Sequence, residues 1–263
     1  MAEKFDETAR VISNRPVATG IWQMGLNAPK IAQSARAGQF VHLRIVKCPV
    51  QFLRMPFAVF AVHGNNGIVE IVYQVVGEGT RQLSELSPGS EVDLIGPIGN
   101  GWSAPAETTR ALLVGGGVGT PALYMLAQDL VDRGCIVDVA IGALSKDRFS
   151  CVRELETVCV PAGGKVSLTT DDGSLGTKGF VTEVSDKAIA SGAYDYVAVC
   201  GPTPMMRNVV KPALERGICC QVSMEKLMAC GVGACLSCVV ETTQGRRRCC
   251  VDGPVFNASE VIW

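Results

Sequence analysis

The sequence predicts three units in series: an antiparallel β-barrel or sandwich, a parallel-sheet α/β unit, and a small cysteine-rich C-terminal unit. Three observations predict it. Short β-rich segments broken by turns fill residues 1–105, strand–helix alternation runs through 106–222, and a glycine- and cysteine-rich texture takes over from 223 to 263. At 263 residues there is room for about two compact domains. A third unit this short cannot build a sizeable core alone.

In the first unit, residues 21–26, 39–46, 57–63, 68–76 and 91–96 are rich in β-branched side chains. Gly64-Asn65-Asn66-Gly67 and Ser87-Pro88-Gly89 interrupt them. Strands so spaced, without long helices between them, form closed or sandwiched antiparallel sheets. One helical piece, residues 80–86, follows Gly77-Glu78-Gly79-Thr80. Amides at that helix start suit a pyrophosphate; a plain hairpin turn accounts for the glycines equally well.

The second unit opens with the apolar run 111–114 and Gly115-Gly116-Gly117-Val118-Gly119-Thr120. A helix is expected next, with Leu123, Leu126, Ala127 and Leu130 at helical spacing and Pro121 in its first turn. Strands at 135–141, 166–170 and 196–200 alternate with helices at 151–158 and 204–216. Such alternation implies a parallel sheet covered on both faces. A glycine turn between strand and helix is the setting for phosphate binding. Thr120 stands where the usual fingerprint has Gly or Ala, so a merely tight turn is the alternative. Cys200-Gly201-Pro202 ends a later strand and is expected to face the same crevice.

In the third unit, Cys230, Cys235 and Cys238 have C-x₄-C-x₂-C spacing, followed by Cys249 and Cys250. This is the plant-type two-iron, two-sulfur arrangement, with three thiolates from one loop and a fourth from elsewhere. Gly231 and Gly233 suit a backbone wound tightly around a cluster. Zinc is the competing occupant, but its cysteines usually come as two short knuckles. Spacing leaves Cys249 and Cys250 equal as the fourth ligand. Cys135, Cys159, Cys219 and Cys220 lie in or beside apolar runs and read as small hydrophobes.

Composition narrows the function classes. Hydrophobic residues make up 48%, charged residues 19%, and the formal charge is −1, as in an ordinary globular protein. Arg246-Arg247-Arg248 is the one basic run and reads as a solvated turn, so no nucleic acid partner is implied. Two histidines, His42 and His63, argue against a histidine-rich zinc site or a Ser-His-Asp triad. Met1-Ala2-Glu3-Lys4 is polar, and no apolar run reaches the ~18–20 residues of a membrane span. The twelve cysteines are therefore expected in a reducing cytoplasm, as a redox or metal centre.

Four segments carry a family resemblance over nearly the whole chain. They are Gly96-Pro97-Ile98-Gly99-Asn100-Gly101, Thr170-Asp171-Asp172-Gly173-Ser174, Met228-Ala229-Cys230-Gly231-Val232-Gly233-Ala234-Cys235 and Asp252-Gly253-Pro254-Val255-Phe256. The chain resembles ferredoxin-reductase-type flavoproteins, and most closely the electron transfer subunits of two-component NAD-dependent dihydroorotate dehydrogenases. The resemblance implies FAD in the barrel, NAD(H) over the flavin, and a [2Fe-2S] cluster held by Cys230, Cys235, Cys238 and Cys250. It puts Arg54, Pro56, Phe57, Ala58, Tyr73, Gly77, Gly79 and Thr80 at the flavin. Gly115, Gly116, Gly117, Gly119 and Thr120 face Gly201 and Pro202 across the nicotinamide, with Cys200 as the catalytic-position side chain. The implied partner is an FMN-containing catalytic subunit acting in pyrimidine biosynthesis, in a heterotetramer of two plus two.

One segment departs from the family pattern. Where the family reads Arg-Arg-Pro-x-Ser, this chain reads Arg54-Met55-Pro56-Phe57-Ala58. Neither NADH nor NADPH is selected by Ser145-Lys146-Asp147-Arg148, which offers both signs of charge. Two further readings accompany the resemblance: a reductase subunit serving ferredoxin or another flavoenzyme, and a non-catalytic iron–sulfur redox sensor.

Overall fold

The computed structural model describes residues 3–46 and 52–263. Six strands precede residue 100: β1 (Phe5–Ala18), β2 (Ile21–Asn27), β3 (Phe40–Ile45), β4 (Met55–His63), β5 (Ile68–Gln74) and β6 (Glu91–Ile98). They close into an antiparallel barrel in the order β1-β2-β5-β4-β3-β6. Helix α1 (Pro29–Ser34) packs on it, and α2 (Glu78–Ser84) links β5 to β6. Sequence reading missed β1. Its run FDETARVISNRPVA is mostly polar, and only Ala9 and Val11 are fully buried. Pairing with β2 on one side and β6 on the other makes it a strand, with its register shifting at Pro16 as a missing donor requires.

The next unit contains β7 (Arg110–Gly116), β8 (Ile136–Ala143), β9 (Val166–Thr170), β10 (Thr177–Lys178), β11 (Tyr196–Cys200) and β12 (Cys219–Ser223). Between them run α3 (Tyr124–Asp132), α4 (Val152–Cys159), α5 (Val181–Ala190) and α6 (Thr203–Glu215). After β7 the chain winds as a 3₁₀ helix over Gly117–Leu123, and α3 begins only at Tyr124. This differs from the expected helix through Pro121. Proline cannot donate there, and the tighter 3₁₀ turn carries the chain past it. Helix α5 was not predicted either, because it buries only Val181, Ser185 and Ile189.

The third unit adds the hairpin β13 (Val239–Thr242) and β14 (Gly245–Arg248), then β15 (Val255–Asn257). Strand β15 pairs antiparallel with β12, completing a sheet of order β10-β9-β8-β7-β11-β12-β15. The tail thus supplies the edge of the sheet before it. Strand alternation explains the two faces of that sheet. Leu113, Val139 and Ile141 pack with Leu126, Leu130 and Leu155 in a core continuous with the barrel. Leu112, Val114 and Val199 pack on the other face with Val209, Val210, Cys238, Val240, Cys249 and Phe256. The tail shares a core it could not build alone. Among the described residues no helix is long and apolar enough to cross a membrane.

Barrel and tail are also clamped directly. The Asn100 amide donates to the Gly253 carbonyl at 2.6 Å, and its Nδ2 reaches the Val251 and Asp252 carbonyls at 3.1 Å each. Gly99 has φ +83, and a Cβ there would lie 2.4 Å from the Gly253 oxygen. Two of the segments that carried the resemblance are therefore one contact.

Candidate functional site

The cysteine loop is built mainly from backbone. Gly231 and Gly233 take φ +67 and +89, and Leu236 is left-handed at φ +59. These turns aim amides inward: Val232 N–H and Cys235 N–H donate to Cys230 Sγ at 3.5 and 3.4 Å. Burial opposes ionisation of Cys230, but these amides outweigh it and hold the thiol down to about 6. Cys238 Sγ and Cys250 Sγ stand 3.4 Å apart. Burial, then the Cys238 contact, pushes Cys250 up to about 12. The four thiols thus fall into two pairs, Cys230 with Cys235 and Cys238 with Cys250. Among the described residues no three His, Cys, Asp or Glu side chains converge on one ion. Two pairs suit two irons better than one tetrahedral zinc.

Cys249 is as buried as Cys250, each 1% exposed in the apolar cluster of Val240 and Phe256, and burial pushes its thiol up to about 12 as well. What separates the two is the 3.4 Å contact of Cys250 with Cys238 Sγ. The arginine run also divides. Arg246 pairs with Glu241 on the surface, and Arg247 reaches Gln244. Arg248 turns inward, its Nη1 donating to the Gly233 carbonyl at 3.0 Å and its backbone N–H to Asp252 Oδ2 at 2.8 Å. The solvated-turn reading therefore fails at Arg248, because the hairpin register turns it toward the cysteine loop.

The barrel wall nearest the loop is β3 and β4. Phe40 faces Ala58, Val41 faces Phe57, and His42 faces Pro56. Arg54, just before β4, keeps its Nη1 buried without a hydrogen-bond partner. Its Nη2 stands 3.9 Å from Asp6 and 4.0 Å from Asp93, too far to hydrogen-bond either. A buried guanidinium donor left open in this way fits an anionic group of a flavin nucleotide. Tyr73 is a wall residue: its ring sits 5.7 Å from that of Phe57, and its hydroxyl donates to Asn14 Oδ1 at 2.9 Å. At the start of α2, the Thr80 hydroxyl takes the amides of Val76 and Gly77 at 3.0 and 3.2 Å. Gly77 is exposed at this turn, while Gly79 and Thr80 are buried. A Cβ on Gly77 would meet nothing within 4 Å.

The two glycine loops of the sheet do meet. Strand register sets Gly115 beside Cys200. A Cβ on Gly119 would lie 2.7 Å from the Cys200 carbonyl, and one on Gly116 2.5 Å from Met205 Sδ and 3.0 Å from Pro202 Cδ. Gly117 has φ +52 with open space around it, and Thr120 Oγ1 is buried and unpartnered. Gly201, at φ +158, packs on Gly116. Cys200 is half-buried, and burial pushes its thiol up to about 12, so it stays protonated at neutral pH.

The iron–sulfur cluster binding domain of dihydroorotate dehydrogenase B matches residues 225–262. The dihydroorotate dehydrogenase B (NAD(+)) electron transfer subunit of Bacillus pumilus is 36% identical, over 95% of this chain and 96% of its own. That of Desulforamulus reducens is 35% identical over the full length of both. The chain belongs to this family of electron transfer subunits. A solved chain from NADH-dependent reduced ferredoxin-NADP oxidoreductase, studied for flavin-based electron bifurcation, is 32% identical with TM-score 0.88, covering 98% of this chain and 90% of its own. An Amycolatopsis cytochrome P450 reductase shares the fold, at TM-score 0.68 and 21% identity over 82% of this chain and 67% of its own.

Three of the four quoted segments fall where barrel and tail touch, through Gly99 and Asn100 on Gly253 and through Gly231 on His42. The fourth, residues 170–174, runs on from the end of β9, on the far side of the sheet from β15. Sequence reasoning did not single out His42, Asn100 or Arg248. Asn100 lay inside a quoted segment and Arg248 two residues before Cys250, but the signal for His42 was only its rarity.

Proposed function

We propose that the chain relays electrons between NAD(H), FAD and a [2Fe-2S] cluster, as the electron transfer subunit of a dihydroorotate dehydrogenase whose FMN-containing catalytic subunit is its partner. The observation that carries this is the pairing of the four thiols in an amide-lined loop clamped to the barrel. Bound flavin and cluster together supply the step between two-electron nicotinamide chemistry and one-electron transfer.

The chain's own residues hold, orient and shield. Cys230 with Cys235 and Cys238 with Cys250 bind the cluster, while Cys249 is core. The 3.4 Å Cys238–Cys250 approach supports that choice. Arg54 receives an anionic part of FAD along the wall of Pro56, Phe57 and Ala58, while Tyr73 stiffens it. Gly77, Gly79 and Thr80 leave a low turn for the pyrophosphate. Gly115–Thr120 and Cys200–Pro202 seat the dinucleotide, the protonated Cys200 thiol adding no charge there. The working division is 1–105 for flavin, 106–222 for nicotinamide and 223–263 for the cluster. Leu227, Val232 and Leu236 are 89%, 48% and 63% exposed around the cysteine loop, an apolar rim suited to a partner subunit. The assembly proposed is two plus two, in the cytoplasm.

The test is anaerobic purification with iron, sulfide and flavin counted per chain, followed by addition of NADH. Two irons, two sulfides and one FAD, with flavin bleaching, are expected; failure of NADH to bleach the flavin sinks the relay. A second reading, a reductase subunit serving ferredoxin or another flavoenzyme, is favoured by the 32% identity over 98% of the chain to the ferredoxin-NADP oxidoreductase chain. Co-purification decides between them: isolation with a non-pyrimidine oxidoreductase removes the dihydroorotate assignment.

A further inference from the structure

His42 is fully buried on β3, yet neither Nδ1 nor Nε2 has a hydrogen-bond partner. Among the described residues no other side chain has two buried polar atoms so orphaned. Buried polar atoms in folded proteins are otherwise hydrogen-bonded, and a leucine or valine would fill a barrel-wall position without that loss. Backbone groups of Arg54 and Cys230 approach the ring without closing a hydrogen bond of good geometry, which leaves it able to take a further partner.

Its neighbours indicate what. On β4 it faces Pro56, within the segment Arg54–Ala58. On the tail side Gly231 lies flat against it: a Cβ there would stand 2.5 Å from Nδ1 and 3.2 Å from Cε1 and Cγ. Backbone groups of Arg54 and Cys230 both bear on the ring, and the buried, unpartnered Nη1 of Arg54 belongs to the same wall. One imidazole thus separates the flavin segment from the turn that carries the first cluster cysteine. Burial, with the Arg54 charge, holds it down to about 4, so it is neutral and offers one N–H donor and one acceptor.

We propose that His42 is a positioning residue shared by both redox sites: its ring seats the Cys230–Gly231 turn against the flavin segment, and its N–H donates a hydrogen bond to the flavin. This rests on the FAD and cluster reading above. The residue acts through geometry and a hydrogen bond, not through a change of its own charge. A bond that differs in strength between oxidation states moves a reduction potential, and a seat that loosens changes the surroundings of the cluster sulfurs.

The experiment compares wild type, His42→Leu and His42→Gln as full-length protein purified anaerobically. Iron and FAD are counted per chain, and flavin and cluster midpoints are titrated by absorbance and electron paramagnetic resonance. His42→Leu is expected to keep both groups while shifting the flavin midpoint by about tenfold in equilibrium constant, or about 59 mV per electron. The cluster midpoint moves less. His42→Gln, which keeps a donor, returns the flavin midpoint to within about threefold of wild type. Wild-type midpoints in a loaded His42→Leu protein overturn the proposal. Should His42→Leu fail to fold, His42→Met replaces it. If no apolar variant folds while His42→Gln matches wild type, the residue is structural only and the proposal fails. Wild-type protein lacking FAD or iron would instead sink the functional reading itself.

Discussion

The cysteine loop and the flavin wall reach their chemistry by opposite routes. In the loop, ligand-bearing residues are close in sequence and the backbone does the pointing, through left-handed glycines and the amides of Val232 and Cys235. On the wall, no short motif suffices. Strand register brings Phe40, Val41 and His42 opposite Ala58, Phe57 and Pro56, and the open donor of Arg54 depends on residues from both ends of the barrel. The lesson concerns tolerance. A backbone cage fails when one ligand goes, whereas a wall of many weak contacts absorbs changes such as Met55 and Ala58.

The sharpest break of that contrast is Cys250→Ser, which should abolish the cluster, seen as loss of iron, sulfide and visible absorbance. Cys249→Ser should keep all three; the reverse outcome would exchange the two roles. Next comes Gly99→Ala, where a left-handed φ of +83 and the 2.4 Å approach to the Gly253 oxygen leave no room. We expect a loss of about 2 kcal/mol or more in urea unfolding, with faster cluster loss. Arg54→Ala should weaken FAD by roughly 10- to 100-fold in a fluorescence titration while sparing the iron content. Arg248→Ala removes the hold on the Gly233 carbonyl; about 1 kcal/mol is expected, read as quicker iron release to a chelator. The smallest effect belongs to the double change Met55→Arg with Ala58→Ser. Flavin affinity should stay the same or rise within about threefold, as expected of a rim position on a wall. A marked loss would show that this segment does not face the flavin.

Much of the fold was legible because its signals are local. β-branched runs between turns marked most barrel strands, and β7, β8 and β11 appeared as short apolar stretches before helices. Strand β1 was not legible, since its outward residues are charged and its partners come from both ends of the barrel. Strand β15 was hidden for a related reason: three residues carry no period, and only pairing with β12 makes them a strand. Arg248 read as part of a solvated run because its two preceding arginines are solvated. What distinguishes it is the carbonyl of Gly233, fifteen positions away.

At the cysteines the division is clearest. Spacing alone determined that three thiols share a tight loop, because so short a segment rich in glycine has few ways to wind. It could not choose between Cys249 and Cys250, since adjacent side chains point in different directions and neither direction has meaning until something lies beside it. Tertiary structure supplied the neighbours. The sheet face with Phe256 and Val240 encloses both adjacent cysteines, and Cys238 stands 3.4 Å from Cys250, the contact on which the proposed choice rests. The clamp of Gly99 and Asn100 on Gly253, and the seating of Gly231 on His42, likewise join residues from distant parts of the chain. Local backbone geometry can be read from residue order; which surface a side chain meets is decided only when the barrel, sheet and tail have packed.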